Sequence, residues 1–213
     1  KPYHLYKGKP LLMHSIDRIK SYKKFKKIVV VVNKNHTKFI KKLKIPNIKI
    51  IKGGRTRAES AFKGLNSLKN SNTKYVMIHD AARPNFSLKL LNKLKKEIQF
   101  NNCVVPAIQT ADSVKQKIKG KVKNLKRENI YFMQTPQAFN YNELFKLQKN
   151  KNLEVTDDAN LFVEAGKKIK IIEGELKNKK ITINSDINSD VSIKYGLGFD
   201  VHRLVPNKKL YLG

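Results

Sequence analysis

The chain of 213 residues carries a formal charge of +30 at pH 7 and a single cysteine, a length that suits one α/β domain with a sizeable core and an appendage. No apolar run is long enough to cross a membrane, no secretory signal precedes the first strand, and Cys103 in "NCVVPA" reads as a small buried hydrophobe, so a cytoplasmic protein is expected. Only six of the 46 basic residues are arginine and the lysines are spread along the whole chain, which argues against a nucleic-acid-binding protein and for solvated faces whose field attracts anionic substrates.

In chain order, "KPLLMHSIDRIKSY" sets Leu12, Ile16 and Ile19 on one helical face, with Pro10 in the first turn. "KKIVVVVN" is a continuous β-branched run, the pattern of a strand covered on both faces. A short helix over "NHTKFIKKL" and a strand over "NIKIIKGG" follow. "TRAESAFKGLNSLKN" places Ala58, Ala61, Phe62, Leu65 and Leu68 on one helical stripe. Tyr75, Val76, Met77 and Ile78 predict the next strand, "SLKLLNKLKKEI" a helix and "CVVPA" a further strand. This alternation predicts βαβ units and a mostly parallel sheet, with sites beyond the carboxyl ends of the strands. Both "GG" at 53–54 and "HDAARP" at 79–84 fall at such ends.

From about residue 109 the rhythm changes. "SVKQKIKGKVKNLKREN" alternates apolar residues with lysine about Gly120, which predicts a β-hairpin arm with little to bury by itself, suited to packing on another subunit. "TDDANLFVEAGKK" predicts a helix capped by Thr156 with Asp157 and Asp158 in its first turn. "KIKIIEG" and "KITI" predict strands, and "DINSDVSIKYG" a closing helix.

Glycines 53 and 54 let backbone approach a ligand closely and open a helix whose N-terminal amides favour anions, although such a pair also serves simply to turn a chain. In "HDAARP", Asp80 at a strand end suits Mg2+ in a phosphate site, the alanines leave room for a sugar ring, and Arg83 can grip a phosphate. The plainer alternative has Asp80 capping the next turn and pairing with Arg83. "TADSVK" holds Asp112, Ser113 and Lys115, "KRENIYFMQTPQAF" holds Arg127, Thr135 and Gln137, and Lys180 opens a predicted strand. Each of these alone would pass as an ordinary turn or surface residue. His79 takes no role and reads as a satisfied core histidine.

Together, "KGKPLLMHSI", "GGRTRAES…GL", "IHDAARP", "DSVK", "QTPQAF", "TDDA" and "NKKIT" occur in one order at natural spacings. Over residues 1 to about 195 this set resembles the 2-C-methyl-D-erythritol 4-phosphate cytidylyltransferases. The resemblance implies a Rossmann-like nucleotidyltransferase domain that joins CTP to methylerythritol phosphate and releases pyrophosphate. It implies Lys1 on the triphosphate, Lys180 facing the reacting phosphate, Asp80 with Mg2+ and the nucleotide, and Ala81 beside the ribose. Gly53, Gly54 and Ser60 fall at the cytosine, and Arg83, Asp112, Ser113, Arg127 and Thr135 toward the methylerythritol phosphate. It also implies a homodimer in which the arm crosses to the second subunit, so that Arg127 serves its neighbour's site. The family's glycine- and arginine-containing phosphate loop precedes the lysine matched by Lys1, and a fragment without it is expected to bind CTP poorly. Ser113 stands where members commonly carry threonine, and keeps the hydroxyl.

The tail at 196–213, "GLGFDVHRLVPNKKLYLG", departs from that pattern and resembles the opening strand of 2-C-methyl-D-erythritol 2,4-cyclodiphosphate synthase, a zinc enzyme. Asp200 and His202 are two apart in an extended segment and supply two of the ligand types that Zn2+ takes, with no complete zinc site expected in this stretch. The expectation is therefore a cytidylyltransferase domain over 1–195 and a truncated second domain over 196–213 of a bifunctional protein. A ribitol 5-phosphate cytidylyltransferase is the alternative on the same fold.

Overall fold

The computed structural model of the protein describes residues 2–149 and 157–182. The chain opens with a small hairpin, β1 (Leu5–Tyr6) and β2 (Lys9–Pro10). α1 (Leu11–Ser21) follows at once, with Pro10 as its N-cap and Leu11, Leu12 and Ile16 buried. β3 (Val29–Val32) and β4 (Lys49–Lys52) pair in parallel across the short α2 (Thr37–Lys42). Thr56 caps α3 (Arg57–Asn66) by accepting from the Glu59 N–H at 3.1 Å. β5 (Tyr75–Ile78), α4 (Leu88–Glu97) and β6 (Cys103–Ile108) complete the alternation. Leu90, Leu91 and Leu94 bury the inner stripe of α4, each contributing roughly 1.5–3 kcal/mol.

β7 (Val114–Ile118) and β8 (Lys121–Leu125) form the predicted hairpin arm. Its turn residues Lys119 and Gly120 lie at φ of 46° and 81°, the left-handed pair that matches the twist of two-residue hairpins. β9 (Phe132–Met133), β10 (Gln137–Asn140), α5 (Tyr141–Lys149), α6 (Asn160–Glu164) and β11 (Lys170–Glu173) complete the described elements.

The α/β class is as expected, and the main sheet is mixed. Its order is β11-β6-β10-β5 with β9 on β6; β11 runs parallel to β6, while β10 runs antiparallel to both β6 and β5. The sequence pattern foresaw neither β10 nor α5. Polar Gln137 and Asn140 close off a two-residue apolar step, too short to show a period. Burial alternates along the inner strands. Cys103, Val105 and Phe139 face a core shared with α3, α5 and α6, whereas Val104 and Ala138 face one shared with α4. Burial pushes the Cys103 thiol up to about 12, which fits an inert hydrophobe.

Three expectations change. Val30 and Val32 of β3 are buried, but Val29 and Val31 border a cavity of about 480 Å3 between β3 and β5, so this strand is covered fully on one face only. Asp157 and Asp158 precede α6 rather than occupy its first turn, and the Asp157 side chain accepts from the Asn160 N–H. Lys180, Ile181 and Thr182 are not in a strand; the Ile181 N–H instead donates to the Ala82 carbonyl at 2.8 Å. Thr156 and the closing helix at 186–196 lie outside the described residues. Among the described residues no helix is long and apolar enough to cross a membrane.

Candidate active site

The antiparallel register of β10 on β5 pairs Gln137 with Ile78. Two residues further along the same register, Thr135 stands across from Asp80, and the Asp80 N–H donates to Thr135 Oγ1 at 3.0 Å. The polar turn after β5 is tied down on its other sides too. Ser15 of α1 donates to the Ala81 carbonyl, and the Arg83 N–H closes a turn onto the Asp80 carbonyl at 3.0 Å. The buried Asn178 donates to the Thr135 carbonyl at 2.9 Å, which brings the 178–181 segment alongside.

That segment delivers Lys180, whose Nζ donates to Asp80 Oδ2 at 2.9 Å, while the Arg57 Nε lies 3.4 Å from Asp80 Oδ1. Burial alone would raise the Asp80 carboxyl; the Arg57 guanidinium and the Lys180 ammonium outweigh it and hold Asp80 below its ordinary range. Arg57 reaches a second carboxylate through Nη2, 2.9 Å from Asp158 Oδ2. Asp158 is wholly buried and also accepts from Gln148 Nε2 at 2.8 Å. Burial pushes Asp158 up, countered in part by Arg57. Arg57 thus links the helix after the glycine pair to the turn after β5. Sequence reasoning missed it, although a signal was present: a cation in the first turn of a helix opposes the helix dipole and calls for a partner elsewhere.

His79 borders the cavity between β3 and β5 with its ring edge-on to Phe86. Burial pushes its pKa from 6.5 down to about 4, so the ring is neutral. Arg83 spends two donors on backbone, Nη1 to the Asn178 carbonyl at 2.9 Å and Nη2 to the Met133 carbonyl at 3.2 Å. Burial lowers its pKa more than the nearby Asp80 supports it. The plain reading of an Asp80–Arg83 side-chain pair is replaced by these carbonyl bonds.

The glycine pair turns tightly against its own helix. A Cβ at Gly53 would stand 2.7 Å from Ser60 Oγ, and one at Gly54 would collide with Glu59. The amides expected to favour an anion already have partners. Gly53 donates to the Val32 carbonyl, Gly54 to Ser60 Oγ at 3.0 Å and Arg55 to Glu59 Oε2 at 2.7 Å. Ser60 donates its own hydrogen to the Thr56 carbonyl.

Asp112, Ser113 and Arg127 are exposed at the root of the arm, where Arg127 Nη1 donates to the Ala111 carbonyl at 2.6 Å and the Asp112 N–H to Thr110 Oγ1 at 3.0 Å. Among the described residues these bonds stay within the arm and do not reach Asp80. The structure therefore joins Asp80, Thr135, Lys180, Arg83 and, through Arg57, the glycine turn. Lys1, Asp200 and His202 lie outside the described residues. Among those described, no group of three or more His, Cys, Asp or Glu side chains gathers as a metal site. Asp80 alone fits a hard cation of the Mg2+ kind, which takes one or two carboxylates and completes its shell with phosphate oxygens and water.

Comparison with known proteins gives a consistent pattern. The family model described as IspD, 2-C-methyl-D-erythritol 4-phosphate cytidylyltransferase, matches residues 1–193. A bifunctional enzyme IspD/IspF of Pelagibacter ubique is 72% identical over 213 residues, all of this chain and 57% of that protein. One from Wolbachia pipientis is 33% identical over 96% of the chain and 55% of its own length. The chain thus spans a little over half of these relatives. Among solved structures, the 4-diphosphocytidyl-2C-methyl-D-erythritol synthase of Anaerococcus prevotii aligns with a TM-score of 0.82 at 29% identity, covering 88% of this chain and 90% of that one. The bifunctional IspDF of Campylobacter jejuni aligns at 0.77 and 32%, covering 88% and 48%.

Proposed function

The chain belongs to the 2-C-methyl-D-erythritol 4-phosphate cytidylyltransferase family, and from that premise we propose that it transfers the cytidylyl group of CTP to 2-C-methyl-D-erythritol 4-phosphate. A phosphate oxygen of the acceptor attacks the α-phosphorus in line. A new P–O bond forms there as the bond to the bridging oxygen of the β-phosphate breaks, and pyrophosphate leaves with the electron pair. The product is 4-diphosphocytidyl-2-C-methyl-D-erythritol. Two polyanions must meet, so catalysis is mostly positioning and charge neutralisation.

The observation that carries this reading is the row Arg57–Asp80–Lys180, a carboxylate kept ionised between two cations at the carboxyl end of β5. Lys180 is the outer cation, with 46% of its side chain exposed, and can turn from Asp80 to a phosphate. Asp80 would hold Mg2+, which supplies further charge neutralisation at the phosphates when bound. Lys1 is assigned to the triphosphate, Gly53, Gly54, Ser60 and Ala81 to the nucleoside, and Arg83, Asp112, Ser113, Arg127 and Thr135 to the methylerythritol phosphate. A homodimer joined by the arm lets Arg127 serve the neighbouring site; the exposed Ile118 and Val122 on that arm support it. Residues 1–195 then form the cytidylyltransferase domain. Residues 196–213, with Asp200 and His202 toward Zn2+, begin a second domain through which the whole protein also forms the 2,4-cyclodiphosphate.

Pyrophosphate release by the full protein, with CTP and either methylerythritol phosphate or ribitol 5-phosphate, tests the reading. Methylerythritol phosphate is the expected preference. Asp80→Ala and Lys180→Ala should each lower turnover about a hundredfold or more, with the unfolding midpoint of the Lys180 variant unchanged. Preference for ribitol phosphate, or near-wild-type turnover of either variant, overturns it.

A further inference from the structure

We propose that His79 is a positioning residue that fixes the Thr135 hydroxyl as a hydrogen-bond acceptor toward the substrate, so that Thr135 meets a hydroxyl of the polyol and not its phosphate. The argument starts from the Arg83 carbonyl, which can only accept. His79 Nε2 lies 3.0 Å from that oxygen, so Nε2 carries a hydrogen. A second hydrogen on Nδ1 would point at Thr135 Oγ1, which already accepts from the Asp80 N–H, and would take away the acceptor that holds the hydroxyl's own hydrogen. Nδ1 is then a bare lone pair, 3.1 Å from Thr135 Oγ1. The one hydrogen of the Thr135 hydroxyl must point at it.

The same oxygen accepts from the Asp80 N–H at 3.0 Å. Its hydrogen and one lone pair are therefore committed, and one lone pair remains. A phosphate oxygen without a proton would face that lone pair with another and be repelled; a polyol hydroxyl can donate to it. The Thr135 residue is 5% exposed, so any contact it makes with a substrate is confined to a small opening. The imidazole also spans the turn after β5, joining the start of "HDAAR" to the carbonyl of its last residue, so ring, hydroxyl and turn form one rigid unit.

The inference rests on the cytidylyltransferase reading for the identity of the substrate, but its core can be read without substrate. In wild-type protein labelled with 15N-histidine, two-bond proton–nitrogen correlations should show His79 with Nε2 protonated and Nδ1 bare at neutral pH. The signal is assigned by its loss in His79→Gln, which distinguishes it among the five histidines of the chain. A ring protonated on Nδ1, or on both nitrogens, overturns the inference and leaves the cytidylyltransferase reading intact.

Two variants then separate the arms of the ring. The amide of His79→Gln can still donate to the Arg83 carbonyl but offers Thr135 no acceptor. The Oδ1 of His79→Asn can replace Nδ1 opposite Thr135. In the full protein, His79→Gln should raise KM for methylerythritol phosphate about tenfold with KM for CTP unchanged, and His79→Asn should stay within about threefold of wild type. Equal effects of the two variants, or parallel changes in both KM values, overturn the positioning role. A wild type that turns over no methylerythritol phosphate but shows the Nε2–H ring overturns only the assigned function.

Discussion

The turn after β5 and the hairpin arm are both polar, and the sequence marks both, yet they are built in opposite ways. In the turn, the side chains of Asp80, Arg83, Thr135 and Asn178 are bonded to one another or to nearby backbone, drawn from three separate stretches of chain. Along the arm, β7 and β8 bond almost only to each other, and nearly every residue is exposed. Regular backbone pairing thus shapes the arm without fixing its surroundings. The turn has almost no regular structure, but its geometry is over-determined by tertiary contacts. Preorganisation of that kind is what a site for two polyanions requires, since charges aimed in advance need no reorganisation during reaction.

The sharpest way to break the contrast is at Arg57. Replacing it with Met removes the charge and leaves Asp158 buried without its partner. The expected loss is about 3–5 kcal/mol in urea unfolding, together with a fall in turnover as Asp80 loses one of its two cations. A loss under about 1 kcal/mol would mean that the turn does not depend on this link.

A smaller effect is expected from His79 with pH. Its folded pKa is depressed from 6.5 to about 4, so the unfolded chain binds more protons between those values. Stability is therefore fully present above pH 6.5 and falls as pH drops toward 4, by about 3 kcal/mol from this residue. The difference in unfolding free energy between wild type and His79→Gln, followed over that window, measures it; a pH-independent difference would contradict the assignment.

The smallest intramolecular effect belongs to the arm. Ile118→Lys with Val122→Lys should change the unfolding free energy of the isolated subunit by no more than about 0.5 kcal/mol, because both side chains are more than half exposed. The same pair should convert the proposed dimer to monomer in sedimentation. A large loss of subunit stability would show that the arm packs on its own domain and would erase the contrast.

Much of the frame was legible in advance because it follows from local rules. The valine run of β3, the stripe on α3, the leucines of α4 and the left-handed turn at Gly120 each express a period or a steric demand carried by adjacent residues. β10 was not legible. Its four residues, Gln137 to Asn140, show no period, and it is a strand because β5 and β6 offer ladder partners on both sides. Within the site, Asp80, Thr135 and Lys180 were marked by motif. Asp158 was read as an acid in the first turn of a helix capped by Thr156, because nothing in "TDDA" reveals that Arg57 and Gln148 close over it.

By itself, then, the sequence determined the α/β class, the arm, and the residue types gathered near a strand end, since these depend on spacing and composition along the chain. Only the tertiary structure decided the direction of β10 and, with it, the contacts that Thr135 and Lys180 make with Asp80. An antiparallel strand between β5 and β6 sets Thr135 across from Asp80, and Asn178 brings Lys180 to the carboxylate. Long-range register of this sort depends on which edges remain available after the local elements form, and no window of adjacent residues contains that information.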